Sequence, residues 1–232
     1  MKIDISILTQ PDDSTCGPTS LHSIYNHYGL KINLQTLITD VQYLENGGTL
    51  AVFLAIDALK RGFKATIFSF NLHLFDPTWF ALERVEIIEK LEAQMKVKKG
   101  VRLRAASKAY IQFLKLGGEL ICKELRPDFL KECFNKNVPI LTGLSATYLY
   151  RSKREFTNKK DESIYDDIAG TPMGHFVVLC GMEDGKILVA DPYKENPISH
   201  DNFYRVSPSR LISAILLGVI TYDGNLLIIE KK

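Results

Sequence analysis

Residues 10–29, QPDDSTCGPTSLHSIYNHYG, place a cysteine at the mouth of a helical pattern and a glutamine six residues before it. The thiolate is the reactive form of cysteine, and the unpaired N–H groups and dipole at a helix N-terminus favour an anion there. Cys16 stands where that effect operates, two residues ahead of Pro18. A nucleophile also needs a base, and the base needs an orienting partner.

Five histidines are available: His22, His27, His73, His175 and His200. His22 and His27 share the predicted helix with Cys16, but six residues advance a helix by about 9 Å, too far for a base. Packing or surface roles are expected for these two, for His73 in FNLHLFD and for His200 in PISHDNF. His175 differs. In MGHFVVLCG it opens an apolar strand just after a glycine, which permits close approach of another segment. Sixteen residues on, ILVADPY puts Asp191 at the exit of the next strand. A hairpin through Asp184-Gly185 would bring the outer ends of these strands together. Asp191 could then accept a hydrogen bond from His175 and fix its tautomer and orientation. Gln10 could donate its side-chain amide to a developing oxyanion beside the backbone N–H of Cys16. Taken singly, Cys16 reads as a small buried residue and Asp191-Pro192 as a turn opener. The ordered set is what points to nucleophilic catalysis.

The elements that must position these residues follow from periodicity. Leu21, Ile24, Tyr25 and Tyr28 recur at helical spacing from Thr15, Gly29 stops the helix, and Ser14 or Thr15 is its expected cap. NLQTLITDVQYL and GGTLAVFLAIDALKRG predict two more helices, the second capped by Thr49 and stopped by Gly62. FKATIFSF alternates as a strand. Residues 81–97 and 100–116 predict helices, the latter with Val101, Leu103, Ile111, Phe113 and Leu114 as its apolar members. GELICKEL and VPILTGL read as strands around a short helix in RPDFLKECFNKN. Residues 151–172 reverse charge from basic to acidic and read as an exposed loop. SPSRLISAILLG predicts a capped helix, and VITYDGNLLIIE a hairpin turning at Asp223-Gly224. Helices come first and most strands last, without βαβ alternation, so the expected class is α+β.

Bulk properties narrow the choices. The 232 residues carry a net charge of +2, which argues for no nucleic-acid partner. Cys16, Cys122, Cys133 and Cys180 are scattered, forming neither a disulfide framework nor a zinc pattern. No signal peptide and no membrane span is visible, which makes the cytoplasm the default location and leaves export by a route other than Sec open. From Lys96 to Lys115 there are seven Lys or Arg and no acid. This run reads as a solvated helix face or as a docking surface for an acidic partner.

The pieces Gln10, CGPTSL at the head of a helix, GHFVVLCG and the later Asp-Pro resemble the papain-like cysteine peptidases. In particular they resemble the double-glycine (bacteriocin-processing) peptidases and their stand-alone relatives, since no transporter or ATP-binding segment accompanies them. The resemblance implies Cys16 as nucleophile, His175 as general base and acid, Asp191 as its orienting partner and Gln10 as oxyanion donor. It implies a papain-like fold in a single domain over residues 1–232, with an N-terminal helical half packed on a C-terminal antiparallel sheet. Residues 75–117 then form a helical insertion or cap. The implied activity is cleavage of a peptide or protein substrate through a thioester, with small residues such as Gly-Gly before the cut and no cofactor or metal. Acyl transfer to an amine, as in transglutaminase-like enzymes, would use the same residues. A degenerate peptide-binding module is the non-enzymatic alternative.

Overall fold

Helix α1 (Cys16–His27) is buried from Cys16 through Tyr25, because small residues early and Leu21, Ile24 and Tyr25 later leave no polar face to show to water. The computed structural model describes residues 1–44, 48–157 and 163–232. Helices α2 (Leu34–Asp40) and α3 (Ala51–Lys60) follow, with strand β1 (Lys64–Ser69) after them. Asn33 caps α2 by accepting from Gln35 N and Thr36 N. Val41 leaves that helix in extended conformation, so it stops short of the expected Leu44. The Tyr25 hydroxyl donates to Asp57 Oδ1 at 2.6 Å and Arg61 Nε donates to the same atom at 2.7 Å, fastening α1 to α3.

The next section holds α4 (Arg84–Val97), α5 (Val101–Lys115), β2 (Glu119–Ile121), α6 (Pro127–Asn135) and β3 (Ile140–Ser145). The Glu86 carboxylate accepts from Glu83 N at 2.8 Å to cap α4. Leu103, Ile111, Phe113 and Leu114 of α5 are buried, but Val101 is 73% exposed, on the opposite side of the first turn. Phe75 and Tyr110 meet edge to face at 4.8 Å, holding α5 to the segment after β1.

The remainder comprises α7 (Ala146–Tyr150), β4 (Glu155–Thr157), β5 (Ser163–Tyr165), β6 (Gly174–Glu183), β7 (Lys186–Ala190), β8 (Phe203–Val206), α8 (Pro208–Leu217) and β9 (Asn225–Glu230). The main sheet runs β2-β1-β9-β3-β6-β7-β8. Its pairings are antiparallel except β1 with β2, which is parallel. The α+β class and the helices-first order agree with the sequence reading. Strand β1 from the helical first half nevertheless extends the sheet, and its pairing with β2 is parallel where an antiparallel sheet was expected.

Three local expectations are corrected. Residues 155–157 and 163–165 pair as an antiparallel arm where an exposed loop was expected. Of the charge reversal, Lys159, Lys160, Asp161 and Glu162 lie outside the described residues, as does Gly47 of the third helical run. Thr49 does not cap α3. Its hydroxyl donates to Gln42 O, while Asp223 Oδ1 accepts from Ala51 N at 3.2 Å across the fold. Asp223-Gly224 does not turn a hairpin either. Gly218–Thr221 is a 3-10 turn, and β9 lies between β1 and β3 instead.

Burial pushes the Asp223 carboxyl up to about 7, against the pull of Ala51 N–H, Asn225 and Arg102. The folded state therefore holds this proton more tightly than the unfolded one. Its contribution to stability is complete below about pH 4 and is lost as pH rises through about 7. Asp223→Asn keeps an oxygen for Ala51 N–H and removes the titration. Urea unfolding should show the variant gaining on wild type between about pH 4 and about pH 8, and a pH-independent difference would contradict this account.

Candidate active site

The β6–β7 hairpin is closed by Asp184 and Gly185, with φ of 49° and 71°, the left-handed pair that a two-residue turn requires. Val178 pairs with Ala190 across it. One further step sets Asp191 opposite Val177 and makes it the diagonal neighbour of His175 on the same face. His175 Nε2 and Asp191 Oδ1 lie 2.8 Å apart. Gly174 is needed beside them, since a Cβ there would stand 2.7 Å from Thr221 Oγ1.

Asp191 is 0% exposed and every acceptor direction it offers is used. Tyr193 N donates to Oδ1 at 2.8 Å alongside His175. The hydroxyls of Tyr150 and Tyr204 donate to Oδ2 at 2.7 and 2.6 Å. Burial works to raise the Asp191 carboxyl, but His175 and the two tyrosines hold it below the usual carboxylate range. Burial likewise works against a charged His175. The Asp191 carboxylate, then the Cys16 sulfur nearby and the hydrogen bond to Asp191, outweigh it and raise the imidazole from 6.5 to about 10. The pair is thus an imidazolium and a carboxylate at neutral pH.

Cys16 reaches this ring because α1 begins against β6. Ser20 Oγ donates to Phe176 O at 3.2 Å, and a Cβ on Gly17 would stand 2.4 Å from Thr49 Cγ2 and 3.3 Å from the Phe176 ring. With Nε2 engaged by Asp191, Nδ1 is the ring nitrogen left for the thiol. The start of α1 also departs from expectation in its capping. Thr15 is the N-cap residue, but its side chain makes no capping bond: Thr15 Oγ1 donates back to Asp12 O at 3.0 Å, and Ser14 bonds Asp12 Oδ1. The N–H groups of Cys16 and Gly17 are left without intrahelical partners.

Gln10 is tied to the Asp191 corner by its backbone, with Gln10 N donating to Pro192 O at 2.9 Å. One of its amide hydrogens goes to Asp12 O at 2.9 Å, which steers the side chain along the loop leading to Cys16. His22 and His27, the two histidines that share α1 with Cys16, are engaged elsewhere. His22 Nε2 bonds Ile32 O and His27 Nε2 bonds Asn137 O.

Other side chains around the centre carry no local sequence signal. Tyr150 and Tyr204 are the plainest cases. Glu155 on the β4–β5 arm is raised by burial and then by Asp13, while a Ser163 hydrogen bond and the charge of His175 pull it back, so its carboxyl lies within electrostatic reach of the imidazole. Tyr43 is pushed up to about 12 by burial and then by Asp12 and Cys16, so its hydroxyl lies within electrostatic reach of the thiol.

No family model matches the sequence, and comparison with curated proteins found no match. Solved structures do match. A protein from Bacillus anthracis described as a C39-like peptidase superposes with a TM-score of 0.51 and 14% identity, over 100% of this chain and 98% of that one. The chain has the C39-like peptidase fold. Lower similarity is found to a double glycine motif protease from an AMS/PCAT transporter in complex with its leader peptide, with a TM-score of 0.46, 13% identity and coverage of 100% and 94%. The peptidase domain of Streptococcus ComA, a bi-functional ABC transporter of a quorum-sensing pathway, gives 0.44, 14%, 97% and 98%. Among the described residues of the chain, no helix is long and apolar enough to cross a membrane.

The tyrosine hydroxyls give a test of how the buried charge is held. Tyr204→Phe and Tyr150→Phe each leave a buried carboxylate oxygen one donor short, at an expected cost of about 1–3 kcal/mol. Tyr148→Phe, on the exposed side of α7, should cost less than about 0.5 kcal/mol. Denaturant unfolding checks all three, and equal costs would refute the arrangement.

Proposed function

We propose that the protein is a cysteine peptidase that cuts peptide substrates through a thioester on Cys16. The observation carrying this reading is the buried His175–Asp191 pair set against a thiol at the head of α1. The fold shared with a protein described as a C39-like peptidase agrees with it.

In this reading Cys16 Sγ attacks the scissile carbonyl carbon as a thiolate. The oxyanion that forms accepts from the free Cys16 N–H and from the second amide hydrogen of Gln10. His175, protonated on the side of the thiol, gives that proton to the departing amine nitrogen, and the C–N bond breaks. A water molecule then attacks the thioester, losing its proton to His175, and the C–S bond breaks to release the carboxylate. Asp191 keeps its charge throughout, orienting the ring and stabilising its cationic form.

Two measurements test this. Iodoacetamide at neutral pH should label Cys16 ahead of the other three cysteines. Burial pushes Cys133 up to about 11 and Cys180 up to about 12, and exposed Cys122 serves as the unactivated reference. Labelling of Cys16 no faster than Cys122 would overturn the nucleophile assignment. Cleavage of a peptide library should vanish in Cys16→Ala, and adding an amine should leave hydrolysis products dominant.

The pH dependence follows from the His175 shift. Its folded value is raised above 6.5, so the charged ring stabilises the fold fully below about 6.5 and loses that contribution as pH rises through about 10. Activity should hold through neutral pH and fall as pH passes about 10, when the amine loses its proton donor. A basic limb near 6.5 instead would contradict the ion pair.

A further inference from the structure

Beside the site lies a cleft of about 740 Å³ between the turn at Gln42, Tyr43 and Leu44 and one face of α5. Its α5 wall is built by Val101, Arg104, Lys108 and Gln112, positions three or four residues apart that share one side of a helix. Lys99 and Arg102 complete it at the helix entrance, so the described lining residues hold four cations and no carboxylate. Among the described residues none of the four takes part in an ion pair. Arg102 lies 5.1 Å over the Tyr222 ring, and Arg104 Nη2 donates to Met95 O at 3.4 Å, which leaves most of their donors open.

The opposite wall is coupled to the nucleophile. Thr49 Oγ1 donates to Gln42 O at 2.8 Å, and the Thr49 methyl packs where a Gly17 side chain would be, one residue after Cys16. The cleft therefore has one wall tied through Thr49 to the packing at the head of α1 and another carrying a row of cations that form no ion pair among the described residues. Its volume falls in the range of binding clefts. Glu155, which neighbours Asp13, lies within electrostatic reach of His175, so a carboxylate rather than a cation stands near the imidazole.

We infer that this cleft receives an acidic stretch of the peptide substrate and sets which side of the scissile bond lies along α5. The inference rests on the peptidase reading for the word substrate, while the binding it describes can be measured without any cleavage. Arg104 and Lys108 act as specificity determinants: a substrate carboxylate can bridge these two side chains, which are one helical turn apart. A chain with basic residues in that stretch is excluded by like charge.

The test uses the full-length protein and three fluorescein-labelled peptides of equal length: hexaglutamate, hexalysine and a Gly-Ser hexamer, each followed by Gly-Gly. Fluorescence anisotropy with Cys16→Ala protein should show binding of the hexaglutamate peptide alone, weakening as salt is raised. Arg104→Gln and Lys108→Gln, both exposed and conservative in helix propensity, should each weaken it about tenfold. Lys90→Gln, exposed on α4 outside the cleft, should not. In the wild-type protein the hexaglutamate peptide should slow iodoacetamide labelling of Cys16 several-fold. Equal binding of the Gly-Ser peptide, or insensitivity to both α5 substitutions, overturns the proposal. So does binding without protection of Cys16, or equally tight binding of an oligothymidylate of the same charge. If Cys16 proves unreactive while hexaglutamate binding and its loss in the α5 variants persist, the peptidase reading fails and the acidic-peptide cleft stands.

Discussion

A carboxylate without solvent is the constraint on which the C-terminal half of the molecule turns. Burying an unpaired charge costs far more than any single contact returns, so Asp191 can stay ionised inside only if donors converge on it from fixed directions. Those donors come from four places: β6 through His175, the β7 exit through Tyr193 N, α7 through Tyr150 and β8 through Tyr204. Each one pins its element to the same point. Asn202 adds a second tie by donating to Asp191 O at 2.7 Å, while Asp191 N donates to Asn202 O at 2.8 Å. The corner after β7 is thereby held on its backbone and side-chain sides at once. The orientation of the imidazole is a by-product of this satisfaction.

The thiol is held by a different logic, that of close packing. Gly17 admits Thr49 and Phe176 to distances that a side chain would forbid, which lets α1 start deep against the sheet. Because Thr15 turns its hydroxyl back to Asp12, the helix start keeps N–H groups that no capping side chain fills. One helix end thus serves both as part of the core and as a polar, unfilled position.

The sequence made legible whatever depends on near neighbours. Pro18 and the apolar spacing after it mark α1, and Asp184-Gly185 marks the hairpin that joins His175 to Asp191. The missed parts are those decided at a distance. Nothing around Tyr150 or Tyr204 reveals that their hydroxyls meet on one oxygen, since each sits in an ordinary amphipathic context. Thr49 has the right type and position for a cap, but Asp223 reaches Ala51 N–H from the far end of the chain and Thr49 serves the Gln42 turn. The same distance explains why Asp223-Gly224 turns no hairpin, because β9 finds its partners in β1 and β3 rather than beside it. Gln10 sits between these cases: its backbone bond to Pro192 is visible only in the fold, although its place before Cys16 is visible in the sequence.

The position of β9 has a consequence for the order in which the molecule can be assembled. In the sheet, β1 and β3 share no edge, and β9 alone bridges them. The strands carrying His175 therefore remain a separate ribbon from β1 and β2 until residues 225–230 have been synthesised and threaded between the two edges. Such late, long-range closure is slow compared with local hairpin formation. A nascent chain of this protein can build the His175–Asp191 corner before its sheet is whole, but the two halves of the sheet become one body only with its last strand.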